Sequence, residues 1–146
     1  MNDNRIFVEL TAIPENVSLA RIIVAGFIAP LDPTVDEISD IKTAVSEAVT
    51  NAIIHGYDER PGTVQMRLTS KERTISVEIS DEGVGIENLE AVREPMFTTK
   101  PDMERSGLGF TVMEAFMDTV EIKSSAGAGT TIVLTKTLSN TSSLLK

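Results

Sequence analysis

The sequence predicts a two-layer α/β sandwich of the α+β kind, with helices covering one face of a mixed, mostly antiparallel sheet, and three observations carry that expectation. Two pairs of segments alternate apolar and polar residues around a turn, "GTVQMRLTS" with "RTISVEIS" and "TVEIKSS" with "TTIVLTKTL", the pattern of antiparallel hairpins. Two long segments of helical character precede the first pair, and a shorter one separates the pairs. The 146 residues are the size of one domain with one core, and no internal repeat or linker divides them, so a single domain is expected over 1–146.

Each element has a local reason. "RIFVEL" alternates as a short strand. Pro14, followed by "ENVSLARIIVAGFIAPL", opens a first helix, because proline suits a first turn and Glu15 complements the helix dipole. From Leu19 to Leu31 the only charge is Arg21, so this helix is either deeply buried or meets another chain. Arg21 itself reads equally as a solvated charge or as a group that reaches a partner. "LDPTVDEI" gives an acidic start to a second helix, expected from about Thr34 to His55 and stopped by Gly56. The first hairpin turns near Lys71 to Glu72 and the second around "AGAG". Between them lie "DEGVG", an irregular stretch from Ile86 to Ser106, and a helix from "GLGF" to about Asp118. The polar tail "SNTSSLLK" is expected to fray.

Composition narrows the function. Hydrophobic residues make up 41% and charged residues 24%, the profile of a globular protein. A net charge of −9 argues against a nucleic-acid surface, which needs clustered Lys and Arg, and favours basic protein partners or none. Cysteine is absent, which excludes disulfides and thiolate metal sites. "MNDNRIFVEL" lacks the apolar core of a signal peptide, and no apolar run approaches the roughly 18 residues that cross a bilayer. A cytoplasmic protein with no membrane attachment is expected.

The chemistry-bearing motifs begin inside the second helix. "SEAVTNAIIHG" carries Glu47, Asn51 and His55 at successive steps of four, which on a helix stacks them into one polar ridge beside Val45, Ala48, Val49, Ala52 and Ile53. Alone, that ridge reads as an ordinary solvated face. "DEGVG" sets Asp81 at the end of a strand beside Gly83 and Gly85, where an acceptor-only carboxylate can meet an exocyclic amine and the glycines let a flat ring lie against the backbone. An ordinary turn has the same composition. "RSGLGF" puts Gly107 and Gly109 where a loop becomes a helix, leaving N–H groups free to face an anion. "GAGT", ending at Thr130, sits in a hairpin turn, where glycines are common in any case.

Taken in order, these four motifs resemble the Bergerat-type ATP-binding fold shared by histidine kinases, gyrase-type ATPases, MutL-like repair proteins and heat-shock chaperones, over about residues 40 to 137. The resemblance implies ATP or ADP and Mg²⁺ as cofactors. It makes Asn51 the magnesium ligand, with a hard amide oxygen, and sets Glu47 one turn earlier at the catalytic mouth. Asp81 would recognise the adenine amine, with Gly83, Gly85 and Thr130 beside the ring. Gly107, Gly109 and Phe110 would line the phosphates. The segment from Ile86 to Ser106 would be a lid whose Thr98, Thr99 and Lys100 join the nucleotide contacts. Lys100 and the catalytic candidate Arg105 would meet the terminal phosphate, although Lys100 reads equally as a solvated charge.

Within that superfamily, a classical histidine kinase needs a phosphoacceptor His on a separate helix pair, whereas the only His here, His55, lies inside the ATP-binding module. Gyrase-like and chaperone members add transducing domains that 146 residues do not accommodate. "SEAVTNAIIHGY", "ISDEGVGI", "FTTKP" and "ERSGLGFTVMEAFMD" resemble the bacterial anti-sigma F factors, small serine protein kinases of sporulating bacteria, over nearly the whole chain. That resemblance implies a homodimer that sequesters a sigma F-like sporulation sigma factor. With Mg-ATP it would phosphorylate an anti-anti-sigma protein on serine. The general-stress anti-sigma kinases share this fold and chemistry and are the nearest alternative. A nucleotide-gated binding switch without kinase activity is the other, and it has no evident need of a carboxylate at Glu47.

Overall fold

A computed structural model describes residues 3–56, 61–83, 109–124 and 127–139. In chain order these form β1 (Asn4–Thr11), α1 (Glu15–Ile28), α2 (Val35–Asn51), β2 (Thr63–Lys71), β3 (Thr74–Asp81), α3 (Gly109–Phe116), β4 (Thr119–Ser124) and β5 (Thr130–Thr137). The five strands make one sheet in the order β1-β2-β3-β5-β4. The α+β layering is as expected, but every ladder among the described residues is antiparallel, which corrects the mixed sheet. The physical reason lies in the second hairpin. β4 runs in the same direction as β3, and the return strand β5 inserts between them, so no two neighbours are parallel.

Alternation along β2 and β3 buries Val64, Met66, Leu68, Ile75, Val77 and Ile79 against Val24, Ile28, Ile41, Val45 and Val49 of the helices. α1 buries Ala20, Val24, Phe27 and Ile28, yet Ile22 stays 68% exposed and Leu19 42%, so part of its apolar circumference faces outward. The α-helical pattern stops at Ile28 and not at Leu31. Pro30 has no N–H for an earlier carbonyl, and Ala29–Leu31 tightens into a 3₁₀ turn that ends at Asp32 with a left-handed φ of 53°.

α2 starts with a complete capping box: Thr34 Oγ1 accepts the Glu37 N–H at 3.0 Å, and Glu37 Oε1 accepts the Thr34 N–H at 2.9 Å. Its other end differs from expectation, because after Asn51 the chain widens into a π-helical turn over Ala52–Gly56, with the Ala52 N–H reaching the carbonyls of both Ala48 and Val49. The side chain of His55 lies outside the described residues. The first hairpin turns one residue later than predicted, through Glu72 and Arg73, with Lys71 opposite Thr74. α3 ends at Phe116, earlier than Asp118, because Lys136 Nζ donates to the Phe116 carbonyl at 2.8 Å and the Asp118 N–H already donates to Thr135 O. The tail is also corrected at its first residue. The Ser139 N–H donates to Glu37 Oε2 at 2.8 Å, its carbonyl accepts from Arg73 Nε at 2.9 Å, and 140–146 lie outside the described residues.

Candidate functional site

The helix-facing side of the sheet reads as transverse rows, because residues in register on neighbouring strands project to the same face. One row is Met66, Ile79, Ile132 and Ile122; another is Leu68, Val77, Leu134 and Val120. The row at the C-terminal end of β3 changes character: Val64, Asp81, Thr130 and Ser124 stand side by side. Three adjacent polar side chains thus occupy the face that is aliphatic in the rows beside it. Asp81 and Thr130 are 8% and 7% exposed, so they are part of the interior and not a solvated edge.

Asp81 is incompletely compensated there. Its Oδ1 accepts the Gly83 N–H at 2.9 Å, and the Thr130 backbone also hydrogen-bonds to it. Both bonds favour the carboxylate, but burial outweighs them and pushes its pKa up to about 6. A buried carboxylate with that balance at the end of a strand is ready for a donor from outside the chain. Gly129 makes the arrangement possible. Its φ is 82°, and a Cβ there would collide with the Asp81 carbonyl oxygen and come within 2.9 Å of Glu82 Cα. Sequence reasoning treated "GAGT" as a turn whose glycines need no special cause. The close approach depends on β5 lying beside β3, which no local pattern announces.

The ridge of α2 is the second half of the site. Asn51 Nδ2 donates to the Glu47 carbonyl at 3.1 Å, which turns the amide oxygen away from the helix backbone. α3 packs along α2 and begins with Gly109 against this ridge. A Cβ on Gly109 would stand 3.2 Å from Asn51 Nδ2 and 3.2 Å from Glu47 Oε2, so glycine leaves open the small space that Asn51, Glu47 and the first turn of α3 share. The N-terminal end of a helix favours negative charge through its dipole. The π turn that follows Asn51 packs on β3, the strand that ends at Asp81, and so links the two halves.

The structure therefore brings Glu47, Asn51 and Gly109 into one corner, and Asp81, Gly83 and Thr130 into one row. Phe110 belongs to the hydrophobic core, with only its backbone in the first turn of α3. Gly85, Thr98, Thr99, Lys100, Arg105 and Gly107 lie outside the described residues. Ser124 is the member of the site that the sequence motifs did not single out.

The residues present fit a nucleotide with a magnesium ion. Among the described residues no group of three or more His, Cys, Asp or Glu forms a cage for a metal. Mg²⁺, however, is usually held by one or two protein oxygens together with substrate phosphates and water. The Asn51 amide, whose Nδ2 faces Gly109 and donates to the Glu47 carbonyl, carries a hard oxygen of that kind.

Comparison with known proteins shows the family and the fold. A family model described as "Histidine kinase-like ATPase domain" matches residues 10–136. The chain is 56% identical over 142 residues to an anti-sigma F factor of Bacillus licheniformis, covering 97% of each chain. It is 56% identical over 142 residues to the one of Bacillus subtilis, again with 97% of each covered. The anti-sigma F factor of Clostridium beijerinckii is 52% identical over 137 residues, with 93% of this chain and 96% of that one covered. A crystal structure of the RsbU and RsbW domains of a Mycobacterium tuberculosis protein shares the fold, with a TM-score of 0.64 at 22% identity, covering 92% of this chain and 32% of that one.

Proposed function

The chain belongs to the anti-sigma F factors within the histidine kinase-like ATPase family, and on that premise we propose that it is an anti-sigma factor and an ATP-dependent serine protein kinase. It binds and inhibits a sigma F-like sporulation sigma factor and phosphorylates an anti-anti-sigma protein on serine. The convergence of Asn51, Glu47 and Gly109 supports this reading above all else, since it sets an amide side chain, a carboxylate and a helix N-terminus around one open space.

Asp81 accepts the adenine amine, with Gly83 and Thr130 beside the ring. The first turn of α3 at Gly109 and Phe110 faces the phosphates. Mg²⁺, held at the Asn51 amide oxygen, supplies charge neutralisation on the phosphates. Glu47 orients the hydroxyl of the substrate serine and takes its proton as the serine oxygen forms a bond to the γ-phosphorus and the bond to the β-phosphate oxygen breaks, leaving ADP. Lys100 and Arg105 are assigned to the terminal phosphate on sequence alone. The outward Leu19 and Ile22 support a homodimer that covers part of α1.

Labelled ATP, offered to the purified protein with candidate anti-anti-sigma proteins, tests the kinase assignment. Label on a serine of the partner is expected. Tight ATP binding with no transfer to any such partner would leave a nucleotide-gated switch in its place.

A further inference from the structure

The polar row contains a residue that the proposed chemistry does not use. Ser124, on the edge strand β4, stands opposite Thr130 on the side away from Asp81. Its Oγ donates to the Gly129 carbonyl at 2.9 Å and lies 2.7 Å from Thr130 Oγ1. A serine hydroxyl has one proton, and a carbonyl oxygen can only accept. In the arrangement that satisfies both contacts, Ser124 donates to the Gly129 carbonyl and the Thr130 hydroxyl donates to Ser124. That fixes the Thr130 proton toward β4 and leaves only lone pairs of its oxygen for anything that enters beside Asp81. An ionised Asp81 is likewise acceptor-only.

We infer that Ser124 is a specificity-determining residue that acts through Thr130: it orients the Thr130 hydroxyl so that the base subsite presents acceptors only, and thereby favours 6-aminopurine nucleotides over guanine nucleotides. The inference rests on the reading of Asp81 as the base-recognition residue and extends it to a residue outside the ligand shell. The amine of adenine offers protons to such a row. Guanine brings a carbonyl oxygen to the same place, and its lone pairs face lone pairs with no proton between them. Without the Ser124 hydroxyl, Thr130 is free to rotate and donate to that carbonyl.

ATP and GTP binding, measured by calorimetry on the parent, on Ser124→Ala and on Ser124→Thr, tests this. Ser124→Ala is expected to narrow the ATP-over-GTP preference by on the order of 10-fold, mainly through tighter GTP binding, since one oriented hydrogen bond is at stake. Ser124→Thr, which keeps the hydroxyl, is expected to restore the parental ratio. In a Thr130→Val background the Ser124→Ala change should leave the ratio unmoved. If Ser124→Ala does not fold, Ser124→Cys, nearly the same shape with a weak donor, is read in its place. An unchanged ratio, or an equal loss of both affinities, overturns the inference. A parent that binds neither nucleotide, or does not discriminate between them, would instead overturn the reading of Asp81 on which it rests.

Discussion

Glu37 and Asp81 are carboxylates at opposite ends of the helix-covered face, and their surroundings have been settled in opposite ways. At the start of α2, Glu37 accepts from the backbone N–H groups of Thr34 and Ser139, and despite a desolvation penalty these bonds hold its pKa below the ordinary glutamate value. At the end of β3, Asp81 also accepts backbone N–H groups, but burial outweighs them and its pKa is raised to about 6. The first carboxylate joins the α2 N-terminus to Ser139, just beyond β5. The second is buried at the end of β3, where two backbone N–H groups do not offset its desolvation. The contrast sets the carboxylate that ties the fold together apart from the one proposed to bind.

The largest expected effect belongs to the binding end. Glu47→Gln keeps the shape of the side chain beside Gly109 but loses the charge that accepts a proton, so phosphorylation of the anti-anti-sigma partner should fall by roughly 10² to 10⁴. Nucleotide binding should persist. A single-turnover assay beside a binding isotherm checks both, and loss of ATP binding would make Glu47 a binding residue instead. Gly129→Ala comes next. The left-handed φ and the collision with the Asp81 backbone should cost about 2–4 kcal/mol of stability in urea unfolding, whereas Gly127→Ala, with the same sign of φ and open space around it, should cost less.

The two carboxylates should then move stability in opposite directions. A raised folded pKa means that the contribution of Asp81 is fully present below its ordinary value near 3.8 and is lost as pH rises through about 6. Asp81→Asn is therefore expected to raise the stability of the ligand-free protein at pH 7 by about 1–3 kcal/mol while weakening ATP binding. Glu37 behaves inversely: its contribution is present above the ordinary glutamate pKa near 4.5 and is lost as pH falls through the lowered folded value. Glu37→Ala should cost about 1 kcal/mol at neutral pH and leave ATP affinity unchanged. Urea unfolding of both variants at several pH values would break the comparison if the two shifts had the same sign.

Much of this contrast was legible in the sequence, and the remainder was hidden for identifiable reasons. The step of four from Glu47 to Asn51 and the glycine at Gly83 after Asp81 are local patterns, and the structure holds both in the places those patterns imply. The neighbour relation between β3 and β5 is non-local. It decides that Thr130 stands beside Asp81 and that Gly129 presses on the backbone at Asp81. The π turn after Asn51 leaves no residue signature, since Ala52, Ile53 and Ile54 suit an α-helix equally well. Ser139 reads as part of a polar tail until the distant Glu37 and Arg73 are brought to it.

The central claim is that Asp81 is a buried carboxylate held in reserve for the nucleotide base. Its titration, followed through the side-chain carboxyl carbon by NMR with and without saturating Mg-ATP, tests that most directly. The account predicts a midpoint near 6 in the free protein, and a clear fall when ATP is bound, because an amine donor stabilises the charged form. A midpoint in the ordinary carboxylate range in the free protein, or one that ATP does not move, would contradict it.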